Sequence, residues 1–228
     1  MIMDYKKIFE LASVQSKKNE LNIFIVDSNC NLKKITSYPS LSIITSDPNN
    51  FNIVILGHKN RFFRNSQIVL TKNNFVYIGI SSWKIRALNI NCDIGASVVI
   101  GDDFSCHGVD IESQERALVC IGADCQFSRE ILIRNGDGHP IYQSGKILNR
   151  AKDVFIGNHV WVGQRAVILK GSKVPNGSVV GCASVVTKDF SIDSNIVIAG
   201  NPARKVKENI HWTRDLLSRM DDHEDSTE

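Results

Sequence analysis

An aliphatic residue returns every six positions through the second half of this 228-residue chain. Ile156, Val162, Ile168, Val174, Val180 and Val186 follow one another without a break, and Gly157, Gly163 and Gly181 come directly after three of them. An amphipathic helix needs apolar recurrence at 3 to 4 residues and a half-buried strand needs it at 2, so neither explains one anchor in six. The period describes a repeated short strand and turn: the anchor points inward, a small residue admits the corner, and polar residues face water. Three such units, about 18 residues, are expected to close one triangular coil. A single coil cannot bury its own aliphatic column, so the pattern demands a stack of coils, an all-β solenoid.

The same phrase recurs upstream. Ile94-Gly95 and Ile100-Gly101 are six apart, and Ile121-Gly122 is followed at that spacing by Phe127 and Ile133. A weaker stretch, FNIVILGHKN and NNFVYIGISS, is expected to supply the first coils, which places the solenoid at about 51–200. Ahead of it, in residues 1–50, KKIFELASVQ reads as a helix and LNIFIVDS as a strand. Beyond Pro202, Val206, Ile210, Thr213, Leu217 and Met220 recur at 3 to 4 residues, which predicts an amphipathic C-terminal helix within 201–228.

Composition agrees with a globular solenoid. Aromatics are only 7% of the residues, so the column must be filled by aliphatic side chains. A net charge of +3 with scattered Lys and Arg argues against a nucleic-acid partner. Residues 220–228 carry five acids and no Lys or Arg, an acidic tail behind a modestly basic body. The opening MIMDYKKIFELA has no long apolar run, and no stretch reaches a membrane span, so a cytoplasmic location is expected. Cys30, Cys92, Cys106, Cys120, Cys125 and Cys182 form no CxxC pair and sit among aliphatic residues, which predicts reduced core thiols.

Between Ile133 and Val154 the rhythm lapses, in RNGDGHPIYQSGKILNRAKD. Solenoids place insertions as loops on one face, often the binding face. His139 lies in this loop, between glycines and a proline and two residues after Asp137. It therefore belongs to a constrained turn outside the aliphatic column.

The run IRNGDGHPIY, then DVFIGNHVWVGQRAVILKGSKVPNGSVVGCASVVTKD and AGNPARKVKENI, resembles the hexapeptide-repeat O-acetyltransferases, left-handed β-helix enzymes that modify sugars. Within them it is most similar in pattern to the capsule and polysialic acid O-acetyltransferases. The likeness spans about residues 92–210. It implies acetyl-CoA as co-substrate, a carbohydrate hydroxyl as acceptor, no metal, and a homotrimer with active sites between subunits. It further implies that His139 is the general base, with Asp137 a candidate to orient its ring, and that Trp161 stands beside the thioester and the acceptor. Imidazole suits the base because it titrates near neutral pH, while a sugar hydroxyl is a poor nucleophile until its proton is removed. By the same likeness Gln164, Cys182, Thr187 and Lys188 line the pantetheine arm, and Arg204, Lys205 and Lys207 meet the nucleotide phosphates. Cys182 stands where many such proteins carry a small Ala.

Three other readings share the architecture. A zinc enzyme of the γ-class carbonic anhydrase kind needs three spaced ligands, and His58, His107, His139, His159 and His211 include no close pair. A sugar-nucleotide N-acetyltransferase often carries an N-terminal nucleotide-binding unit, and the first 50 residues hold no GxGxxG. A purely structural solenoid would have no need of His139 and Trp161.

Overall fold

A computed structural model describes residues 4–58 and 63–216, and in it the chain winds as a left-handed parallel β-helix of about seven coils. Three sheets form the sides of a triangular prism. The first stacks Leu21–Val26, Asn52–Gly57, Asn74–Ile78, Ser97–Ile100, Leu118–Ile121, Val154–Ile156 and Lys173–Val174 in parallel, with Leu32–Ile35 antiparallel at its edge. The second runs from Phe63–Arg64 through Ile85–Arg86, Ser105–Cys106, Gln126–Phe127, Trp161–Val162 and Val179–Val180 to Val197–Gly200, where Ala203–Lys207 turns back antiparallel. The third carries Leu41–Thr45 through Ile131–Arg134 to Val167–Leu169 and Val185–Val186.

From Ile100 onward the anchors of the six-residue period point into the prism and stack on their counterparts, whereas Ile94, expected to be one of them, lies on a turn and is 52% exposed. Ile121, Ile156 and Val174 align in the first sheet, Phe127, Val162, Val180 and Ile198 in the second, and Ile133, Ile168 and Val186 in the third. All are buried in one continuous core. The residue after the anchor turns from the first sheet to the second, where adjacent coils come too close for a side chain. A Cβ on Gly122 would lie 2.7 Å from the Asn158 amide nitrogen, and one on Gly157 equally close to that of Asn176. Beside these glycines the coils are tied by side-chain amides: Ala123 N–H donates to Asn158 Oδ1 at 2.8 Å, and Asn158 N–H to Asn176 Oδ1 at 2.7 Å.

The expected coil of 18 residues holds for the later turns, as the separation of Asn158 and Asn176 shows. Upstream the separation is 22, as between Asn52 and Asn74. Strands there run to five residues, such as Ser66–Leu70 and Leu88–Cys92, and alternate inward more than once per side, which dilutes the six-residue signal. The ladder also begins earlier than residue 51, because Leu21–Val26 already pairs in parallel with Asn52–Gly57. The helix Tyr5–Gln15, capped by Asp4, lies on the outside of the first sheet, where Ile8 and Ala12 join Phe24, Ile53, Ile55 and Tyr77 in a second apolar cluster. That contact removes the outer face of the opening coils from water.

The C-terminal helix is corrected over its described part. Residues 203–207 are the antiparallel strand, and 208–216 follow without helix; Leu217, Met220 and the acidic tail lie outside the described residues. The spacing of Val206 and Ile210 was misleading because the free edge of the second sheet offers backbone hydrogen bonds, and the chain takes them. Among the cysteines, burial pushes the thiols of Cys92, Cys106 and Cys125 up to about 12. Cys182 instead is exposed, on the corner after Gly181, and Cys30 and Cys120 are half-buried; all six are free. Among the described residues no helix is long and apolar enough to cross a membrane.

Candidate active site

Strand alternation decides the placement of Trp161. Val162 takes the inward position, so Trp161 faces out from the second sheet and is 40% exposed. It borders a cleft of about 570 Å³ that runs toward earlier coils.

His139 sits on a different part of the prism. The inserted loop leaves the corner between the third and first sheets, opposite the face that carries Trp161. Its base is stitched down: Gly138 N–H donates to Gln114 Oε1 at 2.9 Å and Arg134 Nε to the Gly136 carbonyl at 2.8 Å. Asn149 donates from Nδ2 to the His139 carbonyl at 2.8 Å and accepts from the Ile141 N–H at 2.6 Å. The outer part is a small hairpin, Tyr142–Gln143 against Lys146–Ile147, with Ile141, Tyr142 and Leu148 all more than half exposed. Asp137 Oδ2 accepts from Lys170 Nζ and from Asn149 Nδ2, and these bonds, Lys170 first, hold its carboxyl below the usual range. Asp137 thus secures the loop, and among the described residues it makes no bond to the His139 ring. The ring has no hydrogen-bond partner among them.

The cofactor candidates divide between two edges. Gln164 and Cys182 occupy the corner between the second and third sheets on successive coils, where a Cβ on Gly163 would lie 2.7 Å from the Cys182 nitrogen. Ala199, paired with Arg204, covers the next coil beside Gly181. These residues make a continuous edge toward the C-terminal end. Thr187 and Lys188 follow Val185–Val186 at the corner from which, two coils earlier, the His139 loop departs. Lys205 is occupied by Asp193 at 3.0 Å and Glu208 at 3.3 Å, which raise its pKa. Arg204 and Lys207 have no ion pair among the described residues.

The segment after the last strand brings to the Trp161 face residues that the sequence reading missed. Trp212, 7% exposed, stacks on His159 at 4.0 Å and lies 6.1 Å from Trp161. His159 and Trp212 are locked together: Trp212 Nε1 donates to the His159 carbonyl at 3.0 Å, and His159 Nε2 donates to the Trp212 carbonyl at 2.9 Å. His159 Nδ1 meets Asp124 Oδ2 at 2.6 Å, so neither ring nitrogen is open to a substrate. Arg214 reaches Asp124 Oδ1 at 2.8 Å, Ser105 Oγ at 2.8 Å and the carbonyls of Asp103 and Cys125 at 2.9 and 3.0 Å. Its charge is spent on fastening the segment across the second sheet. The sole sequence signal was the pair of aromatic rings His211 and Trp212 beyond the last repeat. Among the described residues no three His, Cys, Asp or Glu are grouped to hold a metal ion.

No family model matches the chain. It is 41% identical over 122 residues to the polysialic acid O-acetyltransferase of Escherichia coli O1:K1 / APEC, a match covering 53% of this chain and 39% of that protein. It therefore spans well under half the length of that relative. Against the polysialic acid O-acetyltransferase of Neisseria meningitidis it is 36% identical over 172 residues, covering 65% of this chain and 79% of that one. Among solved structures, the polySia specific acetyltransferase NeuO superposes with a TM-score of 0.68 at 28% identity, over 95% of this chain and 96% of the other.

Proposed function

The chain belongs to the polysialic acid O-acetyltransferase family of hexapeptide-repeat proteins, and from that membership we propose that it moves an acetyl group from acetyl-CoA to a carbohydrate hydroxyl, with His139 as general base. The acceptor is a capsular polysaccharide or sialic acid type glycan. The His139 imidazole takes the proton of the acceptor hydroxyl as its oxygen attacks the thioester carbonyl. The tetrahedral adduct collapses by breaking the carbon–sulfur bond, and the proton passes to the leaving thiolate, giving the acetyl ester and free coenzyme A. The pantetheine arm follows the edge of Gln164 and Cys182, with Thr187 and Lys188 reached from a second copy. Arg204 and Lys207 meet the phosphates, Lys205 less so because its charge is already matched.

One observation carries the assembly. The His139 loop leaves one corner of the prism, and Trp161 stands on the face opposite. A single chain does not bring them together, while copies arranged about a threefold axis can set the loop of one against the Trp161 face of the next. The apolar residues Ile141, Tyr142 and Leu148 on the loop supply the surface such a contact would bury. Free thiols at all six cysteines are in keeping with a reducing, cytoplasmic setting.

The test is acetyl transfer from radiolabelled acetyl-CoA to sialic acid polymers and to neutral hexose polymers, measured beside acetyl-CoA hydrolysis. Label appearing on a glycan in an alkali-labile ester supports the reading. Label in an alkali-stable amide, or hydrolysis with no transfer to any glycan, would sink it.

A further inference from the structure

Asp137 does not touch the His139 ring, so something else must aim it. Asn149 stands half-buried on the returning limb of the same loop. Its Nδ2 donates to the His139 carbonyl and to Asp137 Oδ2, both at 2.8 Å, and its Oδ1 accepts from the Ile141 N–H at 2.6 Å. The His139 carbonyl and the Ile141 N–H are the backbone groups on either side of Pro140, which has no N–H of its own. One side-chain amide therefore closes this turn as a paired strand would, donating to one peptide group and accepting from the other. Both of its amide hydrogens are spent in doing so.

The backbone of His139 is restrained from the other side as well. Gly138 N–H is held by Gln114 Oε1 at 2.9 Å, and a residue before proline is confined to extended conformations. With the backbone fixed at both ends, the direction of the imidazole depends only on the rotamer of the side chain. Because the ring takes no hydrogen bond among the described residues, this backbone frame is what points it.

The frame is anchored to the column through one further side chain. Lys170, on the corner after Val167–Leu169, donates from Nζ to Asp137 Oδ2 and to the Asn149 carbonyl, the latter at 3.0 Å. It thereby ties both limbs of the loop to a later coil. Apolar packing within one chain does not supply this rigidity, since Ile141, Tyr142 and Leu148 are exposed. A base acts only within hydrogen-bond reach of the proton it takes, and a displacement of about 1 Å can cost about a hundredfold in rate.

We propose that Asn149 is a positioning residue for the transfer reaction, holding the turn of His139, Pro140 and Ile141 so that the imidazole meets the acceptor hydroxyl, with Lys170 anchoring Asn149 to the solenoid. The assignment rests on the reading of His139 as general base, and the experiment judges the two separately. Turnover per folded protein is measured with acetyl-CoA and a sialic acid polymer for Asn149→Ala, Asn149→Asp, His139→Ala and the double variant His139→Ala/Asn149→Ala. Asn149→Ala should lower turnover about 10- to 100-fold while the Michaelis constant for acetyl-CoA stays within about twofold and the melting temperature is nearly constant. Asn149→Asp is isosteric and keeps the acceptor for Ile141, yet it loses both donors and sets a second carboxylate against Asp137, so it should fall at least as far. The double variant should be no slower than His139→Ala, because a side chain that only aims the base has nothing to aim once the imidazole is gone. A merely structural role would instead lower the melting temperature and slow the double variant below His139→Ala by the full factor seen in Asn149→Ala. That result, or unchanged turnover in Asn149→Ala beside an impaired His139→Ala, overturns the proposal and leaves the base standing. Undiminished turnover in His139→Ala, or none in the unmodified protein, sinks the base assignment itself and the positioning role with it.

Discussion

At the scale of single residues, His139 stands apart from its neighbours: the loop around it is hydrogen-bonded at several points, and its ring has no such bond among the described residues. Loss of a general base typically lowers rate by about 10² to 10⁴. His139→Ala should reduce turnover by that order while the melting temperature and acetyl-CoA affinity stay nearly constant, since an exposed loop residue adds little to the column. A variant retaining more than about a tenth of the activity would transfer the role to another group, and His107 is then the candidate, because both nitrogens of His159 are engaged. The phosphate contacts separate in the same way. Arg204→Ala should raise the Michaelis constant for acetyl-CoA more than it lowers turnover, since phosphate contacts persist from ground to transition state. Lys205→Ala should do so less, because Asp193 and Glu208 already match its charge. Equal effects of the two substitutions, in steady-state kinetics, would contradict that distinction. Gly157→Ala tests the corner: with a Cβ 2.7 Å from the Asn176 nitrogen, it should cost about 1–3 kcal/mol and lower the melting temperature.

Among the elements, the segment 208–216 is the one whose attachment depends on charge. Burial alone would raise the Asp124 pKa, but hydrogen bonds from His159 and Arg214 outweigh it and hold the carboxyl below the usual aspartate range. A carboxylate whose pKa is lower in the folded state stabilises that state above its ordinary pKa of 3.8, and the contribution disappears as pH falls through the lowered value. The segment should therefore loosen in acid below about pH 4, reported by the emission of Trp212, while far-ultraviolet dichroism of the coils persists. Asp124→Asn should show weakened attachment already at neutral pH; an acid transition unaltered in that variant would place its origin elsewhere. Arg214→Ala should detach the segment at a cost on the order of 2 kcal/mol. The cost is shared among its bonds to Ser105 and to the carbonyls of Asp103 and Cys125, since Asp124 is nearly half exposed and an exposed ion pair adds little. Because Trp212 lies 6.1 Å from Trp161, the same substitution should also reduce turnover.

For the whole molecule, the separation of the His139 loop from the Trp161 face makes a prediction no single-chain site shares. His139→Ala and Trp161→Ala should each be strongly impaired alone. If sites form between copies, unfolding and refolding the two variants together should restore activity, because roughly a quarter of the sites in randomly assembled rings join an intact His139 to an intact Trp161. No recovery above either variant, in particles whose mass in solution is that of a trimer, would place the two residues in one chain's site. A monomeric mass with full activity would remove the shared site altogether.

The sequence by itself determined what is local and repeats. The inward column from Ile156 to Val186, the corner glycines, the outward aspect of Trp161 and the loop around His139 are all visible in one chain segment, because backbone pairing fixes the rise from coil to coil and alternation fixes which side chains enter the core. The early coils were harder to read because their longer strands add inward residues that break the count of six. Tertiary structure alone decided which outward residues become neighbours. Trp212 meets His159 across 53 residues and Arg214 meets Asp103 across 111, contacts that exist because the chain turns back over the second sheet after its last coil. The same stacking gave Asp137 to Lys170 and Lys205 to Asp193, and drew Trp83, Lys84, His107 and Arg129 from separate coils around one cleft. No period marks such residues, since the repeat specifies how the backbone returns and leaves the outward side chains free to differ.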